Sequence, residues 1–355
     1  MKEALVDSVK IAPPTQNKKE RNSSVELFRI LATFLVLITH LNGWMAGGFV
    51  DWNDPVIGLD HKVCQLIIAS LTVVCVNCFL IISGWYGLKL KFSSVWKMWV
   101  MLVCIYVPFY FLGLYMGNTF SPVALVNKVV AFSCESYFIQ NYLMLMFLSP
   151  ALNAFIEKYK DKVTSYAISL FVIEVLMESI FQNKSLFIEN GYSLIHFITM
   201  YMLARSASFH KDQILKVAKY RWLLGYFLCA AVVCALHFTP YKHTWGYSNP
   251  VVVIESFMLF FPFLYKQYSN RFINWVAGGA LAVYVIQVTN PVCDKLFDLD
   301  QWTLINFDYT SYLPLLLCFS LVFFIICLLY NEIAHRILGP LLKPIELFIN
   351  DRLRF

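Results

Sequence analysis

The chain has 355 residues, of which 59% are apolar, 17% aromatic and only 14% charged, with a mean hydropathy of +0.63 and a formal net charge of +6. So little polar surface cannot cover a soluble domain of this length, and the composition excludes a water-soluble globular protein in favour of a polytopic membrane protein. The positive balance lies mainly between hydrophobic segments, where it reports orientation and contact with anionic headgroups; nothing in it suggests nucleic acid as a partner.

In chain order, residues 1–26 are polar and contain Pro13-Pro14. They precede a long apolar stretch with no small-residue cleavage site, which reads as a cytoplasmic tail and a retained helix rather than a signal peptide. Apolar runs that can cross a hydrocarbon layer of about 30 Å follow at 27–45, 63–86, 95–115, 134–156, 163–182, 192–208, 219–238, 250–267, 272–290 and 313–336. The expected fold is all-α: a polytopic transmembrane bundle of about ten helices with both termini cytoplasmic. Its parts are an N-terminal tail at 1–26, a membrane domain at 27–336 and a C-terminal tail at 337–355.

Lysine and arginine accumulate in cytoplasmic loops, and on this plan 23 of the 28 fall on the inner side. The exceptions are Lys62, Lys128, Lys184, Lys242 and Lys295, while Asp51, Asp54, Asp60, Asp294, Asp298, Asp300 and Asp308 occupy the outer loops 46–62 and 291–312. The second of these loops carries Trp302 and Tyr309, and is expected to lie on the membrane surface or to cover part of an outer opening. Of the ten cysteines, eight fall inside apolar runs and Cys134 at the edge of one, as small packing residues. Cys75 and Cys78 form a C-x-x-C without further ligands in the sequence around them, and no metal is expected.

The most informative pair lies in the first run. Arg29 and His40 are eleven residues apart, which at about 100° per residue returns the helix almost to its starting azimuth, so both side chains face one cavity about 16.5 Å apart along the axis. An ionisable side chain at membrane depth ordinarily faces a bundle interior or a watery cavity. Other polar groups that could share that interior are Asn77 and Ser83, then Tyr137, Gln140, Asn141 and Tyr142, then His196, Glu255, Gln287 and Asn290. Interhelical hydrogen bonding is the ordinary role of such amides and tyrosines. Glu174 and Glu178, at i and i+4 on one helix face, suit proton handling or acceptor binding, or are solvated at the interface.

Several segments together resemble a known family. Glu26-Leu27-Phe28-Arg29-Ile30-Leu31-Ala32, continued to His40, is similar to the R-x10-H signature of the membrane-bound acyltransferase 3 family. Asn77-Cys78-Phe79-Leu80-Ile81-Ile82-Ser83-Gly84-Trp85 resembles its FFxISGY-type segment, and Ser136 to Tyr142 with Ser149-Pro150-Ala151-Leu152-Asn153 resembles its YWF…YL…LSPxLN stretch. The likeness runs from about residue 22 to 336. It implies an acyltransferase that moves an acyl group, most often acetyl, from cytoplasmic acyl-coenzyme A to a hydroxyl of a glycan or lipid-linked glycan of the cell envelope. The implied location is the bacterial inner membrane. The family's essential arginine and histidine map onto Arg29 and His40. Ala282-Val283-Tyr284-Val285-Ile286-Gln287 matches a segment that often reads GVYLIH, so a histidine common there is Gln287 here.

The residues themselves support that chemistry. A forked guanidinium at the cytoplasmic end of a helix can hold phosphate oxygens bidentately. Arg29 is therefore the expected coenzyme A anchor, with Lys89 and Lys91 flanking it and Glu26, one turn away, orienting it by a salt bridge. An extended pantetheine arm is comparable in length to the rise from Arg29 to His40, which would present the thioester to an imidazole acting as general base. Asn77, Asn141 and Tyr142 are candidate oxyanion donors by chemistry alone. Asn141, Tyr142, Glu174 and Glu178 are the candidate acceptor-binding residues. The rival reading is a proton-coupled transporter or lipid-linked glycan flippase, with His40, Glu174, Glu178 and Glu255 as a proton relay.

Overall fold

The computed structural model describes residues 21–44, 58–131, 136–179 and 190–352. Most of the expected N-terminal tail, most of the first outer loop with Asp51 and Asp54, Cys134, Lys184 and the last residues of the C-terminal tail lie outside them. Among the described residues the fold is all-helical. The helices are α1 (Ser23–Thr39), α2 (Leu59–Thr72), α3 (Cys75–Tyr86), α4 (Phe92–Tyr115), α5 (Pro122–Val130), α6 (Tyr137–Lys158), α7 (Val163–Ser179) and α8 (Leu194–Phe209). They continue with α9 (Lys211–Lys216), α10 (Lys219–Leu236), α11 (Pro250–Phe260), α12 (Arg271–Gly278), α13 (Ala280–Gln287), α14 (Val292–Asn306) and α15 (Tyr309–Arg352).

Each of the ten expected runs is helical, but not all are long enough to span. Among the described residues six stretches are long and apolar enough, at Ser23–Asn42, Leu59–Tyr86, Phe92–Tyr115, Tyr137–Lys158, Lys219–Leu236 and Tyr309–Ile337. The pair Arg271–Gln287 and Val292–Asn306, bent by 80°, makes a seventh if it is one span. The fifth, sixth and eighth expected runs appear as the shorter helices α7, α8 and α11. The expected C-terminal tail continues α15 as helix to Arg352.

α1 is the centre of the bundle. Asn22 caps it, its side chain accepting from Ser24 N at 3.1 Å. Its first turn is tied to the chain before and within α12: Ser23 N donates to Tyr268 O at 2.7 Å, Ser23 Oγ to Asn274 Oδ1 at 2.8 Å, and Ser24 Oγ to Phe263 O at 2.7 Å. Leu35, Val36, Leu37 and Ile38 are four consecutive buried residues, so at that level the helix is enclosed around its circumference. It packs against α2, α3, α12, α13 and α15. Phe28 adds ring contacts with Phe260 and Phe263 at 5.1 and 5.0 Å.

α3 and α8 approach closely at Gly84. A Cβ built there would lie 2.4 Å from Tyr201 O and 2.7 Å from the Ala204 Cβ, so the backbones meet only because position 84 has no side chain. The glycine of the Ser83-Gly84-Trp85 segment therefore has a packing reason. Beyond α3, the linker of residues 87–91 is pinned by Leu88 N donating to Tyr201 Oη at 2.9 Å and Asn153 Nδ2 donating to Leu88 O at 2.8 Å.

Candidate active site

At His40 the first span changes from α-helix to a π-helical turn, His40–Trp44, a local distortion that recurs at functional sites. A cavity of about 280 Å³ opens beside α1. Arg21 and Arg29 stand at its mouth, Val36 lies deeper on the same face of α1, and Phe79, Phe138, Tyr142 and Tyr284 form aromatic walls. α3, α6 and α13, the helices carrying the three other family-like segments, each supply part of the wall. The resemblance therefore converges on one place in space although its pieces are scattered along the chain.

Arg29 is held where the sequence suggests, by an ion pair of 3.0 Å to Glu26 one turn earlier. Its side chain is 32% exposed, enough to meet a ligand at the rim. His40 does not line the cavity; it stands one helical turn beyond Val36, the deepest α1 residue that does. Its Nδ1 is buried without a hydrogen-bond partner among the described residues. The Gln287 amide lies against the ring, yet neither its oxygen nor its nitrogen has a hydrogen-bond partner among the described residues. α13 ends at Gln287, and the 80° turn into α14 leaves this amide at the inner end of the helix, facing the imidazole.

Tyr142 lines the cavity, its hydroxyl 3.2 Å from Ser83 Oγ and its ring stacked on Phe138 at 5.7 Å between centroids. Asn141, its neighbour, turns to donate to Tyr192 O at 2.8 Å and is not a wall residue. Lys89 and Lys91 are exposed on the linker after α3, at the same end of the bundle as Arg29 but outside the cavity lining.

Glu174 and Glu178 belong to a different network. Glu174 Oε1 meets His196 Nδ1 at 2.9 Å, His196 Nε2 meets Asn77 Oδ1 at 2.9 Å, and Asn77 Nδ2 donates to Tyr247 O at 2.9 Å. Glu178 accepts from Ser248 Oγ and from Gly191 N. Asn77, a candidate oxyanion donor, is thus committed to α8 and to the chain before α11. Glu255 is fully buried, and neither carboxyl oxygen has a partner among the described residues. The residues that sequence reasoning passed over are Arg21, Phe79, Phe138 and Tyr284; Tyr284 stands in the Ala282 to Gln287 segment, so a readable signal pointed at it.

No curated protein and no solved structure matches the chain. A family model described as an acyltransferase domain matches residues 22–334, nearly the whole of it. With apolar helices long enough to cross a bilayer and a cavity walled by the family-like segments, the chain is an integral membrane acyltransferase and belongs to the acyltransferase 3 family.

Proposed function

We propose that the protein moves an acyl group, acetyl as the first expectation, from acyl-coenzyme A on the cytoplasmic side to a hydroxyl of a cell-surface or exported glycan, in the inner membrane of a bacterium. The observation that carries this reading is the arrangement along α1: two arginines at a cavity mouth, an aromatic channel beside the helix, and an imidazole with an unpartnered nitrogen one turn past its inner end. The guanidinium of Arg29 suits a phosphate, and the aromatic and aliphatic walls suit the largely apolar pantetheine arm.

His40 acts as general base. It takes the proton of the acceptor hydroxyl as that oxygen attacks the thioester carbonyl carbon; the carbon–sulfur bond breaks, and the imidazolium returns the proton to the departing thiolate. The Gln287 amide lies against the imidazole, and its N–H is available to the carbonyl oxygen as negative charge develops there. Tyr142, on the cavity wall, is the second candidate for that donor role. The test is thermal stabilisation of the purified protein by acetyl-coenzyme A, which mass action requires of a binder. Arg29→Ala should abolish that stabilisation, whereas His40→Ala should keep it and lose transfer. Normal transfer by His40→Ala would end the general-base assignment.

A further inference from the structure

The end of the bundle opposite Arg29 contains a second concentration of polar side chains, and these are mostly unsatisfied. Asn42 lies in the π-helical turn two residues after His40, His61 and Gln65 are one turn apart on α2, Asp300 is on α14, and Tyr312 is in the first turn of α15. All five are buried, Asp300 at 2% exposure and Gln65 at 1%. Two hydrogen bonds link them: Tyr312 Oη to Asn42 Oδ1 at 3.2 Å, and Asn42 Nδ2 to Gln65 O at 2.9 Å. The His61 ring stands edge-on to Tyr312 at 5.8 Å. Both oxygens of Asp300, both amide atoms of Gln65 and Nε2 of His61 have no hydrogen-bond partner among the described residues.

Five unpartnered polar atoms from three side chains in one buried cluster are hard to explain as packing. Burying a single polar group without a partner costs roughly 1 to 3 kcal/mol, and a carboxyl more. Asp300 is also placed rather than stranded. Leu296, Asp300 and Leu304 repeat at i, i+4 and i+8 with Thr303 beside them, and they form the buried face of α14. The carboxyl therefore sits at the centre of the face that packs on the π-helical turn at His40. Most of the outer connection expected at 291–312 is this helix, with Asp300 its one buried acid.

We propose that Gln65, Asp300 and His61 form the binding site for the acceptor, a compound bearing several hydroxyl groups such as a sugar. This deepens, and rests on, the reading of the protein as an O-acyltransferase. A hydroxyl both donates and accepts, so it can give its hydrogen to Asp300 or Gln65 Oε1 and take one from Gln65 Nε2. The site adjoins the π-helical turn that begins at His40, on the side away from Arg29, so donor and acceptor would reach the imidazole from opposite ends of α1.

The test uses the full-length protein in lipid nanodiscs without any acyl donor, with methyl glycosides of glucose, galactose, mannose and rhamnose as probes and ethanolamine as a cationic comparison. At least one glycoside should raise Tm and slow amide exchange in residues 59–66 and 296–312. Asp300→Asn and Gln65→Leu should each weaken that binding about ten-fold or more, with stabilisation by acetyl-coenzyme A unchanged. The proposal is overturned if no glycoside protects those segments, if protection survives both substitutions undiminished, or if only ethanolamine protects them. The exchange footprint on the unaltered protein decides the matter even where a variant fails to fold. Glycoside protection without any effect of acetyl-coenzyme A would overturn the donor assignment alone; the reverse would overturn this site alone.

Discussion

His196 and His40 both lie inside the bundle, and their surroundings differ in a way that separates scaffold from chemistry. His196 has Glu174 on one ring nitrogen and Asn77 on the other, each at 2.9 Å, and is fully buried. His40 has a buried Nδ1 with no partner among the described residues, and beside it lies an amide whose oxygen and nitrogen have none among them either. A closed polar network holds helices in register; an open one keeps its hydrogen-bonding capacity for a ligand. The same distinction separates Glu178, bonded to Ser248 and Gly191, from Asp300, bonded to nothing described.

Substitution can break this contrast. The largest effect is expected for His40→Ala, a fall in acyl transfer of about 10²- to 10⁴-fold, the range that a general base contributes, with thermal stability little changed. Acyl transfer assayed beside a melting curve checks both halves. His196→Leu should do the reverse: it strands Glu174 and Asn77, at a cost of about 3 to 5 kcal/mol for breaking a buried hydrogen-bonded pair, read as a large fall in Tm. A stable His196→Leu variant with lost transfer would invert the assignment.

Gly84→Ala sharpens the comparison, because it pushes apart α3 and α8, the helices that carry Asn77 and His196. Overpacking of this kind costs about 1 to 3 kcal/mol, and detergent melting should show it without a change in acetyl-coenzyme A affinity beyond that of the folded fraction. The smallest effect is expected at Asp308, just before α15. Hydrogen bonds from Ser311 and then Thr310 hold its carboxyl below the usual carboxylate range. Its contribution is therefore present above the unfolded value of about 3.9 and is lost as pH falls through the lower folded value. Asp308→Asn should lower Tm slightly at neutral pH and not at the acid end of that window, leaving transfer unchanged.

The Glu26 pairing with Arg29 was readable because an α-helix converts sequence distance into azimuth and rise; the cavity expected to be shared by Arg29 and His40 was not, since His40 stands beyond the lining that Arg29 belongs to. The π-helical turn at His40 was not, since the change in register comes from what packs around it. Glu174 and Glu178 could be recognised as unusual, but their partners His196 and Ser248 come from elsewhere in the chain, and a single sequence holds no record of such contacts. Asp300 shows the same limit more sharply. In the sequence it is one of several acids in a short polar segment, and only the Leu296 and Leu304 flanks, four residues to either side, distinguish it as the inward member.

α1 is buried all round at residues 35–38 and stitched at its first turn to Tyr268, Asn274 and Phe263. A post so anchored is a poor candidate for the rocking that alternating-access carriers depend on. If the thioester is delivered along it, the nucleotide never leaves its own compartment, and only a two-carbon fragment at the tip of a flexible arm traverses the barrier. The membrane is then crossed by the reach of a substrate rather than by movement of the protein.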